Sequence, residues 1–401
     1  MLSLEDAQQR ILAQVEPLAS EDISLGDADG RILAASVVAP VDLPGFDNSA
    51  MDGYAVRSAD VQSAKADAPV SLRIIAQVAA GERFDGEVQS GTCVRLFTGS
   101  PLPRGADAVV MQEDARPDAA HPDNVLICDT ARPWEHVRLK GEDVKRGETT
   151  VAAGLRLNAG RLGLLAALGI ARVTAGKSPV IGLLATGSEL RTAGEPLQPG
   201  QIYESNRTSL ASLLRHAGAT PKIYPLVPDT LEATQTALQT AFAECDAVIT
   251  SGGVSVGGFD FVKDAFRGIG GELDFWRVAI KPGKPFVFGR CRGRLLFGLP
   301  GNPVSALVTY LMLVRPAILK LQGARQVFLP SHPGILGESL ANRGDRRHFV
   351  RVVVDEQGNV RSAGTQASHM LGSLSAANGL VDVPPLKTLA TGAVVKVLYW
   401  E

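Results

Sequence analysis

The chain has 401 residues, 45% hydrophobic and 20% charged, with 40 basic and 42 acidic side chains and a formal charge of −2. That length suggests two to four domains with apolar material for more than one core. The near-even charge argues against a nucleic-acid-binding surface, which wants a clear basic excess, so an anionic ligand must be held by a local cluster.

Residues 1–15 carry Glu5, Asp6 and Arg10 and lack the apolar core of a signal peptide. Ser3 with Asp6 reads as a helix N-terminal capping pair, followed by an apolar stripe of Leu4, Ile11, Leu12 and Val15. Short extended pieces follow to residue 45. Residues 46–144 hold β-type runs at 70–76, 92–97, 108–112 and 125–129, separated by Gly, Pro and Asp. A glycine-rich helical stretch at 158–168 packs back on the first region in this reading. Residues 1–45 with 145–177 then form a linking and dimerisation domain, and 46–144 a β-rich inserted domain. The longest apolar stretch, 162–171, lies between Arg161 and Arg172 and is too short to span a bilayer.

Residues 178–326 alternate strand and helix. The run 180–185 is wholly apolar, as expected of a parallel strand covered on both faces. Asn206 caps a helix to His216, and 222–227 reads as a strand. Asp229 and Glu232 form a capping box for a helix to about 244. Strands at 247–250 and 295–299 each lead through a loop into a helix, from about Asp260 and from PGNP through about 321. The pattern indicates a doubly wound α/β domain. The tail, 327–401, returns to strands at 349–354, 360–362 and 393–400, forming a small C-terminal β-barrel or sandwich. Cys93, Cys128, Cys245 and Cys291 show no CxxC spacing and the six histidines no HExxH, leaving isolated thiols in a reducing compartment and little support for zinc.

In a doubly wound domain ligands sit beyond the carboxyl ends of the strands. Three glycine-bearing loops fall there: Thr186-Gly187-Ser188-Glu189, the run from Ser251 through Gly252, Gly253 and Ser255 to Gly258, and Pro300-Gly301-Asn302-Pro303. Glycines let backbone N–H groups approach a phosphate, and helix N-termini favour anions; each loop alone is equally a tight turn. Glu189, Asp229 and Asp260 share that edge. Two unit charges at 4 Å repel by about 4 kcal/mol at an effective dielectric near 20, so a cation is expected, and magnesium fits one or two carboxylates plus phosphate and water. Asp229 or Asp260 serving only as a helix cap is the plain alternative. Lys281 and Lys284 sit in a Pro- and Gly-stiffened turn after Arg277, which suits a compact dianion, or is a solvated surface turn. Arg346, Arg347, Arg351, Ser368 and His369 offer further donors. The loops around Asp52, Thr98 and Asp143 read as polar turns whose ligand the residues alone do not reveal.

The stretches DNSAMDGYAV, TGSPLPRGADAVVMQED, GEDV, ATGSEL, PDT, SGGVSVGGFDFVK, KPGKPFVFG, LPGNPVSALV and ASHML together resemble the molybdopterin molybdenumtransferase family (MoeA in bacteria, the C-terminal domain of gephyrin in animals), in family order over nearly the whole chain. The resemblance implies a cytoplasmic homodimer with its active site at the subunit interface, between the α/β domain of one subunit and the inserted domain of the other. It implies functional roles for Asp52, Thr98, Asp143, Glu189, Asp229, Asp260, Lys281, Lys284, Ser305, Arg351 and Ser368. Arg277 stands where some relatives have Lys, keeping charge but not donor geometry; Phe261 replaces a frequent Tyr, and Gly258 a position often acidic or polar.

The expected reaction transfers molybdenum from molybdate into adenylylated molybdopterin and releases AMP. The glycine loops would hold phosphates. Lys281, Lys284, Arg351, Ser305 and Ser368 would hold molybdate, and Mg2+ on Asp260 with Asp229 or Glu189 would polarise the anhydride. Transient contacts with the pterin adenylyltransferase and with cofactor-accepting enzymes are expected; nucleic acid and membrane are not. The adenylyltransferase itself is the nearest rival activity, and a non-enzymatic scaffold the next.

Overall fold

The computed structural model describes residues 1–254 and 261–400. The chain divides into two compact units, one of Ser36–Ala152 with Ala159–Val173, the other of Met1–Ala35, Ala153–Asn158 and Thr174–Glu401.

The smaller unit is built on a six-stranded mixed sheet in the order Ala108–Met111, Gly53–Val56, Thr92–Leu96, Val70–Val78, Asn124–Ile127, Ala115–Pro117. Both faces are covered. Val56, Leu72, Cys93, Val110 and Val125 lie in one apolar cluster, and Ala55, Val94, Leu96 and Val109 in another. This is the alternation that a period-two pattern dictates. Helix Ala159–Ala167 belongs to the same unit, where Leu164 and Leu168 pack with Ala39 and Val144.

The larger unit holds the α/β layer. Its sheet runs Thr220–Ile223, Val180–Ala185, Ala247–Ser251, Arg294–Leu299, Pro285–Cys291, Glu272–Arg277; the first four strands are parallel and the last two antiparallel. Neighbouring residues feed opposite cores. Ile181, Leu183, Ile249 and Phe297 join one cluster, while Leu184, Val248 and Leu296 join the other. That is why these strands read as continuous apolar runs. Helix Leu4–Ala13 is capped by Ser3, whose Oγ accepts the Asp6 N–H at 3.0 Å, and buries Leu4, Ala7 and Ile11 in the first cluster.

The helical stretch after PGNP is the spine of that cluster. It runs unbroken through Pro303–Thr309, a π-helical Tyr310–Val314 and Arg315–Leu321, and is buried along most of its length. At 19 residues it exceeds the 162–171 run as the longest apolar segment, and its burial marks it as a core helix. Tyr310 hydroxyl donates to the Leu213 carbonyl at 3.0 Å, so its buried oxygen is satisfied.

The tail closes into a five-stranded barrel. Arg347–Val354 pairs with Asn359–Ser362, then Ser331–Leu336, Val394–Leu398 and Gly379–Val383 follow, and the last returns to Arg347–Val354. Val350, Val352, Val360, Val381, Val383 and Val397 fill it. Ile280–Lys281 adds in parallel to the edge at Arg347 and His348.

Three expectations are corrected. The strand expected at 222–227 is Thr220–Ile223, and beyond it only Val227 bridges to Thr186; Pro225 and Pro228 remove ladder donors. The helix Leu231–Glu244 is capped by Thr230, whose Oγ1 accepts the Ala233 N–H at 3.2 Å, not by Asp229. Asn206 is the first residue of helix Asn206–His216, not its cap, and its amide is used elsewhere. Thr230→Ala is expected to lower unfolding stability by about 1 kcal/mol, and Asp229→Ala by less than about half of that; equal losses in denaturant titrations would reject this assignment of the cap.

Candidate active site

The carboxyl ends of the parallel strands open on a cleft of about 740 Å³. All three glycine loops line it, through Thr186, Gly187 and Glu189, through Ser251, Gly252 and Gly253, and through Pro300, Gly301 and Asn302; Asp229, Ser305 and His369 complete its wall. The loops are laced together by backbone bonds, Thr186 N–H to Ser251 carbonyl at 3.1 Å and Gly252 N–H to Leu299 carbonyl at 3.0 Å. Gly252 and Gly253 have φ of +90° and +65°. A Cβ at Gly252 would lie 2.6 Å from the Thr186 carbonyl oxygen, so both conformation and space require glycine here.

Three carboxylates line this cleft, Glu189, Asp229 and Glu204, and the first two come from the expected set. Asp229 accepts the Ser188 N–H at 2.8 Å, and Ser188 Oγ in turn accepts the Asp229 N–H at 3.2 Å. Freed from capping, Asp229 is held at the cleft by that reciprocal pair. Glu189 lies exposed over Gly187. Ser255 and Asp260 lie outside the described residues. Among the described residues no group of three or more His, Cys, Asp or Glu gathers in a way that would hold a metal alone. Glu189 and Asp229 still fit magnesium, which takes one or two carboxylates and completes its shell with phosphate and water.

The basic residues collect around the first turns of the helix after PGNP. The Pro282-Gly283 turn sits on it, since a Cβ on Gly283 would meet Thr309 Cγ2 at 2.5 Å and the Ser305 carbonyl at 3.6 Å. Val278 N–H closes the turn on the Lys284 carbonyl at 3.1 Å. Lys281, Lys284 and Arg277 are exposed, and among the described residues no ion pair ties them down. The Ser368 carbonyl accepts the Val304 N–H at 3.1 Å, which brings the tail loop to the same helix. Beneath that loop Arg351 is fully buried; one guanidinium nitrogen donates to Thr365 and Ala367 carbonyls at 2.7 and 3.2 Å, while Nε and Nη1 have no partner among the described residues. A buried guanidinium with open donors is costly unless an anion arrives.

His348 was not anticipated from sequence. It is 5% exposed, both ring nitrogens lack a partner among the described residues, and it lies in register with Lys281. Burial and the charges of Lys281, Arg351 and Arg346 push its pKa down to about 4. Asn206 and Glu204 also line the cleft unforeseen. Glu204 is already matched by Arg207 at 2.8 Å in a buried pair, whose i,i+3 spacing was the available signal.

In the smaller unit, Asp52 and Thr98 are joined directly. Thr98 N–H and hydroxyl both donate to Asp52 Oδ1, at 2.7 and 2.8 Å, and these bonds hold the carboxyl below its usual range. The neighbouring loops form one network, with Leu102 N–H on the Asp47 carbonyl at 2.9 Å and Lys140 N–H on Asp47 Oδ1 at 2.7 Å. Asp143 is exposed in the adjoining turn, its N–H on the Leu43 carbonyl at 3.1 Å.

Comparison with known proteins identifies the family. Residues 2–169 match the family described as the MoeA N-terminal region (domain I and II), 182–320 a probable molybdopterin binding domain, and 333–400 the MoeA C-terminal region (domain IV). The molybdopterin molybdenumtransferase of Haemophilus influenzae is 40% identical over 384 residues, covering 94% of this chain and 93% of that one. The chain belongs to the molybdopterin molybdenumtransferase family. Molybdopterin molybdenumtransferase 2 of Mycobacterium tuberculosis is 39% identical over 390 residues, covering 96% of each chain. The crystal structure of the molybdopterin biosynthesis MoeA protein of Pyrococcus horikoshii superposes over the full length of both chains with a TM-score of 0.86 at 30% identity. As a family member the chain is an enzyme of the molybdenumtransferase type with a role in molybdenum cofactor biosynthesis; the rival adenylyltransferase reading is not favoured.

His348 gives a pH test. Its folded pKa lies below the unfolded value near 6.5, so between about pH 6.5 and 4 the unfolded chain binds the extra proton and stability falls as pH falls. His348→Phe is expected to flatten that limb by roughly 2–3 kcal/mol, at about 1.4 kcal/mol per pKa unit; denaturant titrations from pH 4 to 7.5 showing parallel curves would contradict it.

Proposed function

We propose that this enzyme inserts molybdenum from molybdate into adenylylated molybdopterin and releases AMP. One observation carries the reading: a strand-end cleft suited to phosphates reaches Ser305 on the first turns of one buried helix, and the stiff turn bearing Lys281 and Lys284 and the loop over the open donors of Arg351 rest on those same turns. The substrates are two anions that repel each other. The glycine loops at Gly253 and Gly301 would take the phosphates by backbone N–H groups, while the Gly252 N–H is spent on the Leu299 carbonyl and fixes the turn. Lys281, Lys284 and Arg351, with the hydroxyls of Ser305 and Ser368, would take the oxygens of molybdate; Arg277 adds charge at the rim. Fixed cations at the place where charge develops lower the barrier without reorganisation.

Magnesium, held by Glu189 and Asp229 with Asp260 as a third candidate, would polarise the phosphoanhydride when bound. Asp229 is aimed by the Ser188 N–H. In this proposal the enzyme is a homodimer, and a second subunit completes the site with its Asp52–Thr98 pair and Asp143. The rigid carboxylate at Asp52, with two donors on one oxygen, leaves the other oxygen for substrate or metal.

Lys281→Ala should cut molybdate-dependent AMP release by at least ~100-fold with an unchanged thermal midpoint; full turnover would reject the oxyanion cradle. Asp229→Asn should raise the magnesium concentration for half-maximal rate by roughly tenfold, and a superimposable magnesium titration would remove Asp229 from the metal.

A further inference from the structure

Ser251 ends the central parallel strand and lines the cleft, yet its hydroxyl makes an unusual bond. It accepts, rather than donates: Asn206 Nδ2 reaches Ser251 Oγ at 2.7 Å and, with its other hydrogen, the Gly301 carbonyl at 2.7 Å. An amide nitrogen has two hydrogens and no lone pair to give, so the direction of both bonds is fixed. The Ser251 proton is therefore not used by Asn206. Among the described residues the hydroxyl donates to nothing. Ser251 is 3% exposed and Asn206 8%, so water does not freely take that proton. Next to it, just past the end of the adjoining strand, Thr186 carries a second buried hydroxyl with no partner among the described residues, and its N–H is on the Ser251 carbonyl. Two buried donors at the floor of one cleft ask for an acceptor.

We propose that Ser251 is a substrate-binding residue that donates its hydroxyl proton to an anionic phosphate oxygen of the nucleotide-tagged pterin, with Thr186 beside it, and that Asn206 is a positioning residue which imposes that direction. The assignment rests on the proposed function, since it names a contact to the same substrate. Asn206 also fixes the spacing of the Ser251 and Gly301 loops, because one planar group bonds both. No bond is made or broken in this step; the proton stays on Ser251.

Asn206→Asp separates this role from simple bracing. It keeps size and shape but replaces the donor by a carboxylate oxygen, which accepts the Ser251 proton and turns it from the ligand. Affinity for adenylylated molybdopterin is read by calorimetry without molybdate, with thermal midpoints alongside. Ser251→Ala should weaken binding by about tenfold, the size expected for a hydrogen bond to a charged group. Asn206→Asp should weaken it at least as much although Oγ remains, and the double variant should bind no worse than about threefold below Asn206→Asp alone. Unchanged affinity in Ser251→Ala, or losses that multiply in the double variant, would overturn the assignment while leaving the proposed function standing. A wild-type protein that binds no adenylylated molybdopterin would overturn both. Ser251→Ala deletes one oxygen and keeps the Cβ, so it carries the test if Asn206→Asp does not fold.

Discussion

The cleft depends on how closely two parallel strands end against each other. Gly252 and Gly253 press on Thr186 with no room for a Cβ, and Gly301 lies 3.7 Å from Gly252 by the same measure. Any side chain at Gly252 would push the Thr186 and Ser251 loops apart and break the N–H to carbonyl bond of 3.1 Å between them. Backbone bonds close the first two loops on each other and on the strand before the third, and Asn206 ties Ser251 to Gly301, so the hydroxyls of Thr186 and Ser251 become the floor of the site. The parallel register is what delivers them together, with Ala185 opposite Ser251 and Ser251 opposite Leu299.

The larger unit also separates its charges. Carboxylates sit on the loops after Val180–Ala185 and before Leu231–Glu244, while the cations come from the Lys281–Lys284 turn and the barrel strand Arg347–Val354. The helix from Pro303 lies between, buried along its length. Arg351 is clamped there: its N–H is on Gln366 Oε1 at 3.0 Å, and Gln366 Nε2 returns a bond to the Arg351 carbonyl at 2.9 Å. Such bracing holds a buried cation in one position, at a cost in desolvation that stability alone does not explain. His348 stays neutral in this company; a second positive ring against Lys281 would add repulsion of the order of kcal/mol.

The sequence made the framework legible where one physical cause dominates. The run 180–185 is a strand because both faces are covered, and Ser3 caps its helix because the partner N–H is local. Local signals misled where two candidates compete for one role. Asp229 and Thr230 both suit a cap, and only the fold shows that Asp229 is drawn to Ser188, 41 residues away along the chain. Asn206 looked like a cap because its partners, Ser251 and Gly301, are 45 and 95 residues distant. The Asp52–Thr98 bond spans 46 residues and was out of reach for the same reason. His348 carries no motif at all; its isolation comes from a strand pairing with Lys281 that no periodicity encodes.

The net charge of −2 bears on how two anions are brought together. A protein with so little excess charge has no long-range field to draw in molybdate, and physiological salt screens exposed charges beyond about 8 Å. Capture must then be short-ranged and discriminating. In the proposed reaction exposed Lys281 and Lys284 would meet the anion first, and the open nitrogens of Arg351 would be available only to an anion that sheds its water and reaches the helix. A compact oxyanion with several acceptor oxygens satisfies those donors together, whereas a monovalent ion with one site leaves a buried guanidinium unpaired. Under the proposed function the same orphaned donors would set the selectivity, which accounts for a cationic group that is half exposed and half buried rather than a uniform basic surface.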